Sequence, residues 1–147
     1  MRVLVDTNIL LSAMWFKDSR VAKTLLYVAD NHDLILCDRN IDEMRIVIKR
    51  KTPDILADAE LFLAELSYEL IPSVEKAEKL IRDPQDQPIL NAAIVGGIDI
   101  FLTGDKDFLS LDLEYPNRWL QFGHLKPRIL GEYNPFDVCQ ITALLWE

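Results

Sequence analysis

Short apolar runs alternate with longer amphipathic stretches along this chain. The runs at 2–5, 34–37, 68–71 and 98–103 are four to six residues long, and most are rich in Val, Ile and Leu. This composition is typical of strands buried on both faces of a parallel sheet. Strands separated by helices indicate βαβ units. The pattern therefore predicts an α/β fold of three α/β/α layers around a central, mostly parallel sheet of four to five strands.

Helical periodicity fills the stretches between these runs. The predicted helices cover 9–29 with a break near Asp18-Ser19, a stretch after Asp38, one after Pro53, one from Ser73, one through 89–94 that Gly96-Gly97 ends, and one after Asn134-Pro135. Residues 128–130 are a candidate edge strand, and 111–128 is the one long irregular segment. With 147 residues and no low-complexity linker, the chain is expected to form a single domain over 1–147.

Acidic residues follow two of the predicted strands. Asp6 comes directly after the first strand, and Asp105 and Asp107 follow the run at 98–103. Ligand sites in open parallel sheets lie outside the carboxyl ends of the strands. Two further acids, Glu43 and Asp86, lie near the starts of predicted helices. We therefore expect a cluster of carboxylates at one edge of the sheet.

Such a cluster is the ligand set that Mg²⁺ and Mn²⁺ prefer, because both ions bind oxygen ligands and retain water. One or two such ions could polarise a phosphodiester and activate a water molecule. The formal charge of −8 argues against a protein that coats nucleic acid by charge alone. Two divalent cations would change this charge to −4 and make the site attract phosphate.

Other kinds of chemistry have little support in the sequence. Cys37 and Cys139 are far apart, which predicts two buried thiols rather than a disulfide or zinc site, and His32 and His124 are expected at the surface. No G-x-G-x-x-G motif follows the first strand, which argues against dinucleotide binding. There is neither a membrane-spanning run nor a signal-peptide pattern, so we expect a soluble, cytoplasmic protein without membrane contact.

Three motifs stand out along the chain, VDTNI at 5–9, DQPILNAA at 86–93 with Gly97 after it, and LTGDKDF at 102–108. Together they resemble the PIN domain family of metal-dependent ribonucleases, which includes the toxins of toxin–antitoxin pairs. The similarity runs from Arg2 to about Leu111, and 129–130 with 134–136 are similar to the end of PIN proteins of this kind. The first and third motifs together are a strong signal.

The resemblance implies a function and a set of site residues. It implies cleavage of single-stranded RNA with Mg²⁺ or Mn²⁺, products with 5′-phosphate and 3′-hydroxyl ends, a cognate antitoxin partner and a homodimer. The implied acidic quartet is Asp6, Glu43, Asp86 and Asp105, with Asp107 as an accessory metal ligand. Asn8 is expected to orient Asp6 or a water at the metal.

Some of these assignments have alternatives. Asp42 competes with Glu43, and because neighbouring helical residues point about 100° apart, only one of them can face the crevice. Met44 and Ile48 mark the buried face of this helix, and Glu43 borders that face, which favours Glu43. Taken alone, Asp86 is better explained as the N-cap of its helix, and Asp83 competes for its site role.

Four basic residues follow Glu43 on the same helix and its end, Lys51 and the three RNA-backbone candidates Arg45, Lys49 and Arg50. They are either contacts for RNA phosphates or a solvated helix end stabilised by the helix dipole. For the whole chain, the alternative to a nuclease is a PIN-like module that binds RNA or protein without cutting. A haloacid-dehalogenase-like phosphatase is disfavoured, because position 8 would need a carboxylate and carries Asn8.

Overall fold

A computed structural model describes residues 1–74, 87–103 and 128–130 of the chain. The order of elements is β1 (Arg2–Val5), α1 (Thr7–Trp15), α2 (Arg20–Asn31), β2 (Asp33–Cys37), α3 (Asp38–Lys51), a 3₁₀ turn (Pro53–Ile55), α4 (Leu56–Glu65), β3 (Glu69–Ile71), α5 (Gln87–Val95), β4 (Ile100–Leu102) and β5 (Arg128–Leu130). Among these described elements, no helix is long and apolar enough to cross a membrane.

The described strands form one five-stranded sheet in the order β3-β2-β1-β4-β5. Every neighbouring pair in it is parallel. In the centre, Leu4 pairs with Ile35 on one side and with Phe101 on the other. The strands thus end along a common carboxyl edge, as the sequence predicted, and Arg128–Leu130 is the predicted edge strand.

Successive side chains along each strand point to opposite faces of the sheet, so they pack into two separate hydrophobic cores. Val3, Val5, Leu34 and Leu36 pack beneath the helices α1 to α4. The residues between them, including Leu4 and Ile35, pack against α5 on the opposite face. A two-residue period with both faces buried requires a helical layer on each side. The predicted three-layer α/β/α fold is therefore confirmed.

The ends of the elements differ from the predicted ones in a few places. The first helix begins at Thr7 rather than Ile9, because Asp6 accepts the Thr7 N–H as its N-cap. The helix predicted after Pro53 starts as a 3₁₀ turn, and the strand predicted at 98–103 spans only Ile100–Leu102. Gly97, with φ of +62°, ends α5 in the left-handed conformation that favours glycine.

Several predicted features lie outside the described residues. These are most of the helix from Ser73, the irregular segment after 111, the last helix, Cys139 and His124. Cys37 is described and is a buried, free thiol, as predicted. His32 follows the last residue of α2, where it is half-buried and its ring lies 5.9 Å from that of Tyr27.

Candidate active site

Two helices begin at the carboxyl edge of the sheet, side by side. Residue Asp6 links β1 to α1, and α3 starts at Asp38 directly after β2. The backbone N–H of Asp6 donates to the Leu102 carbonyl of β4 at 2.9 Å, which holds this corner between two strands. The helix starts therefore bring residues of β1, α1, α3 and β4 to one place.

Asp6 is buried there, with 5% of its surface exposed. Its Oδ1 accepts hydrogen bonds from the Thr7 N–H at 2.8 Å and from Asn40 Nδ2 at 3.4 Å. Its Oδ2 accepts from the Thr103 hydroxyl at 2.8 Å. A buried carboxylate needs such donors to remain ionised. These contacts fix the orientation of Asp6 before anything binds.

Glu43 lies beside Asp6 and is connected to it through Thr7. The Thr7 hydroxyl donates to Glu43 Oε2 at 2.9 Å, and Asn40 Nδ2 donates to the same hydroxyl oxygen at 3.1 Å. Because Asn40 also contacts Asp6, the two carboxylates share one hydrogen-bonded network. Glu43 itself is exposed, so its carboxylate borders solvent.

The structure distinguishes Glu43 from its neighbour on α3. The Asp42 side chain is 73% exposed, and its carboxylate lies 3.8 Å from the Arg45 guanidinium. Of the two competing acids, Glu43 is thus the one next to Asp6. This placement agrees with the preference drawn from the buried face of the helix.

The other predicted acids, Asp86, Asp105 and Asp107, lie outside the described residues. In the sequence, Asp86 directly precedes the first residue of α5, and Asp105 follows Thr103 by two positions. The described part of α5 begins next to the end of β3, where the Val74 N–H donates to the Pro88 carbonyl at 3.2 Å.

Asp6 and Glu43 have the donor chemistry of a divalent-cation site. Both offer hard oxygen ligands, and Mg²⁺ commonly uses one or two protein carboxylates while retaining waters and binding phosphate oxygens. In the described part of the chain, no group of three or more His, Cys, Asp and Glu side chains could hold a metal ion. That part contains only two of the five predicted acids, and these two fit such a cation.

The polar residues that surround Asp6 were not predicted from the sequence. Asn8, the predicted neighbour of Asp6, is exposed on the first turn of α1. The groups that bond Asp6 include Thr7, Asn40 and Thr103, all buried. Asn40 could have been identified from the sequence as a polar residue at a helix position expected to be buried. Its neighbours Ile41 and Met44 mark this part of α3 as packed.

The three basic candidates on α3 have different surroundings. Arg45 is engaged in a two-point ion pair with Glu60 of α4, at 2.6 and 3.0 Å. Bonding to Glu60 raises the pKa of Arg45 and lowers that of Glu60. Lys49 and Arg50 are exposed in the last turn of the helix. Of these candidates, Arg50 lies seven residues after Glu43, almost two helical turns, and so on nearly the same face.

A cavity of about 300 Å³ lies elsewhere, between α1, α2 and α4. Its walls are mainly apolar and include Met14, Leu26, Ile55 and Phe62. Lys17, Asp58 and Glu65 also line the cavity, but among the described residues no hydrogen bond or ion pair joins them into one cluster, as Thr7 and Asn40 join Asp6 and Glu43. We therefore place the candidate site at Asp6, not in the cavity.

Comparisons with known proteins agree with this geometry. A sequence model described as PIN domain matches residues 2–107, well over half of the chain. The crystal structure of VapBC2 from Rickettsia felis bound to a DNA fragment from their promoter contains a chain similar to this one, with a TM-score of 0.60 and 17% identity over 76% of this chain and 93% of that chain. No curated protein matches the sequence significantly. On the strength of the sequence match, with the fold in agreement, the chain belongs to the PIN domain family.

Proposed function

We propose that this chain is a metal-dependent endoribonuclease that hydrolyses phosphodiester bonds in single-stranded RNA. The observation that carries the proposal is the pairing of Asp6 and Glu43 through Thr7 at the carboxyl edge of a PIN-family sheet. The proposed acidic quartet is Asp6, Glu43, Asp86 and Asp105, with Asp107 as an accessory ligand. The proposed cofactor is Mg²⁺ or Mn²⁺, as one or two ions.

A bound divalent cation would supply two things, activation of a water molecule and stabilisation of charge on the phosphate. The chain's own residues do the positioning. Asp6 is held by donors from three elements, so its oxygens keep one orientation. Glu43, at the solvent border, is placed to meet an incoming phosphodiester together with the cation. Without a cation, these carboxylates would repel the RNA backbone.

The test is cleavage of a labelled single-stranded RNA by purified protein with Mn²⁺, with EDTA, and with Asp6→Asn and Glu43→Gln. Substitutions of outer-shell partners of metal ligands usually cost about 10- to 100-fold in activity. We expect EDTA and both substitutions to lower the RNA cleavage rate by more than this. Asp42→Asn is the matched control, because it removes a neighbouring carboxylate on the same helix that pairs with Arg45 instead. We expect it to cut at nearly the wild-type rate.

Two results would contradict the proposal. If Asp42→Asn and Glu43→Gln lowered the cleavage rate equally, the loss would come from the change in overall charge and not from the position of Glu43 beside Asp6. A folded wild type that binds Mn²⁺ but cuts none of a varied set of RNAs would indicate the alternative, a PIN-like module that binds RNA or protein without cleavage.

We also propose a toxin role, with a cognate antitoxin as partner, and a homodimer. The VapBC2 complex, whose fold is similar, supports a partner of this kind. Light scattering tests the homodimer, which should have twice the 16.9 kDa mass of the chain, whereas a mass of one chain at micromolar concentration would refute it. Growth arrest on expression of the wild type, but not of Asp6→Asn, tests the toxin role, and normal growth with both would refute it.

A further inference from the structure

Asn40 is the most unusual residue near the proposed site. It lies in the first turn of α3, is fully buried with 0% exposure, and is surrounded by the packed side chains of this helix start. The Asn40 amide does not cap the helix, because Asn40 lies inside α3. The capping position is Cys37, whose side chain makes no capping hydrogen bond. The polar side chain of Asn40 therefore needs another explanation.

The Asn40 amide nitrogen reaches two groups of the site. Nδ2 donates to Thr7 Oγ1 at 3.1 Å and to Asp6 Oδ1 at 3.4 Å. The opposite orientation of this amide is disfavoured, because it would place Oδ1 against the Asp6 carboxylate and in competition with Glu43 for the Thr7 proton. The hydrogen-bond network thus assigns the nitrogen to the side of the carboxylates.

This contact determines what the Thr7 hydroxyl can do. A hydroxyl has one proton and two acceptor lone pairs, and one of those lone pairs receives the Asn40 N–H. The Thr7 proton is then directed mainly to Glu43 Oε2, at 2.9 Å, because the other acceptor in reach, the Asn40 backbone carbonyl, lies at 3.5 Å. Asn40 therefore sets the direction of the hydroxyl that connects the two carboxylates.

The other side of the same amide has no partner in the part of the chain that the structure describes. Asn40 Oδ1 is buried and has no hydrogen-bond partner within the described residues. A buried acceptor without a partner costs free energy, and a nonpolar side chain of similar shape would avoid that cost. The same nonpolar side chain would, however, remove the N–H that donates to the buried Asp6 and Thr7 oxygens, so fold stability alone gives little preference at position 40.

We propose that Asn40 is a positioning residue, which holds Thr7 and Asp6 so that Asp6 and Glu43 are correctly spaced for a divalent cation. It acts through Thr7 and does not itself bind the cation. This inference rests on the proposed function, because it concerns the same two carboxylates. It adds a residue that neither the sequence motifs nor the family match identifies.

The test is Asn40→Leu, which keeps the branched shape and removes the amide. We measure Mn²⁺ affinity by titration calorimetry with the ion alone, and stability by urea unfolding of protein freed of metal with EDTA. We expect Mn²⁺ affinity to fall by at least about 10-fold, as for other outer-shell partners of metal ligands. The urea midpoint without metal should change little, because Asn40→Leu removes an unsatisfied acceptor but also removes the donor to Asp6 and Thr7.

A double-mutant cycle with Thr7→Val tests whether Asn40 acts through the hydroxyl. If it does, adding Asn40→Leu to Thr7→Val changes Mn²⁺ affinity much less than it does in the wild type. Thr24→Val is the matched control, since Thr24 is also a buried helical threonine but lies on α2. It should bind Mn²⁺ as the wild type does.

The outcomes separate this inference from the proposed function. A wild type that binds no Mn²⁺ overturns both. Wild-type binding with unchanged affinity in Asn40→Leu overturns only the role of Asn40. A large fall in the urea midpoint that accompanies the loss of affinity also overturns it, because Asn40 would then be a structural residue. If the effects of Asn40→Leu and Thr7→Val on Mn²⁺ affinity are fully additive, Asn40 does not act through the Thr7 hydroxyl.

Discussion

Asp38 connects the start of α3 to the end of β3. Its Oδ1 accepts the backbone N–H of Arg39 at 2.6 Å and that of Ser73 at 2.9 Å. Burial alone would raise the pKa of this carboxyl, but the hydrogen bonds from Ser73 and Arg39 together outweigh it and lower the pKa. A carboxyl with a lowered pKa stabilises the fold above its unfolded pKa of about 3.9, and this contribution is lost as the pH falls through the folded pKa.

Asp38→Asn should therefore lower the free energy of unfolding by about 1–2 kcal/mol at neutral pH, where the charged acceptor is lost. The difference from the wild type should shrink as the pH falls below about 4. Urea unfolding at several pH values measures it, with the exposed Asp42→Asn as the control on the same helix. A difference that stays constant with pH would mean that the charge of Asp38 is not the cause.

At the scale of single residues, the sequence indicated Asp6 and Glu43, which the structure brings together, but not the polar residues that bond them. Asp6 was proposed because it follows an apolar strand, and Glu43 was proposed from the family resemblance and preferred to Asp42 because it borders the buried face of α3. The hydrogen bonds around Asp6 join residues 34 and 97 positions apart, to Asn40 and Thr103. Local patterns carry no information on such contacts, since they depend on how α3 and β4 pack beside β1.

At the scale of elements, the spacing of apolar residues predicted the strands and helices. It could do so because helices cover both faces of the sheet, so the strands are apolar on both faces and each helix is apolar on one. The differences arise where side chains act on the backbone. Asp6 both caps α1 and belongs to the candidate site, so the helix begins two residues earlier than its apolar period indicated. Pro53 starts a 3₁₀ turn, a geometry that the apolar period of α4 does not reveal.

The two ends of α3 differ in what they can offer an RNA strand. Glu43 belongs to the candidate site, and Arg50 lies on nearly the same face about 10 Å further along the helix axis. Arg45 points elsewhere and is already paired with Glu60. We propose that Arg50 contacts an RNA phosphate and that Arg45 does not.

Arg50→Gln should weaken cleavage of all RNA sequences alike, because phosphate contacts carry no sequence information. The slope of log kcat/KM against log salt concentration should become shallower by about 0.7, the value for one phosphate contact on a single strand. Arg45→Gln is the control and should keep the wild-type slope. If Arg50→Gln lowers the unfolding temperature but leaves the salt-dependence slope unchanged, Arg50 stabilises the helix through its dipole and does not contact RNA.

At the scale of the whole molecule, the order of the strands explains why distant acids can meet. Strand β1 lies between β2 and β4, so residues that follow β1, β2 and β4 reach the same stretch of the carboxyl edge. The parallel sheet was predictable from the apolar runs, but this order was not, because it depends on crossovers between nonconsecutive strands. That residues 1–147 form a single domain, and that Asp86, Asp105 and Asp107 complete the site, stay predictions.

The net charge of −8 allows two ways for a divalent cation to stabilise the fold, general screening or binding at one site. A site with free Mn²⁺ at 100 times its Kd should raise the free energy of unfolding by about 2.7 kcal/mol. For a chain of this size that corresponds to a rise of roughly 5–10 °C in the unfolding temperature. We expect this rise in the wild type and in Asp42→Asn, its reversal by EDTA, and none in Asp6→Asn.

Differential scanning fluorimetry in Mn²⁺, and in NaCl of equal ionic strength, measures these shifts. Screening acts on the summed charge, so it would raise the unfolding temperature of Asp6→Asn as much as that of the wild type, and NaCl would reproduce it. Site binding depends on the Asp6 carboxylate, whose two oxygens are oriented by donors from α1, α3 and the end of β4. An equal Mn²⁺ shift in Asp6→Asn would therefore refute the metal site at Asp6, even if the protein cleaved RNA.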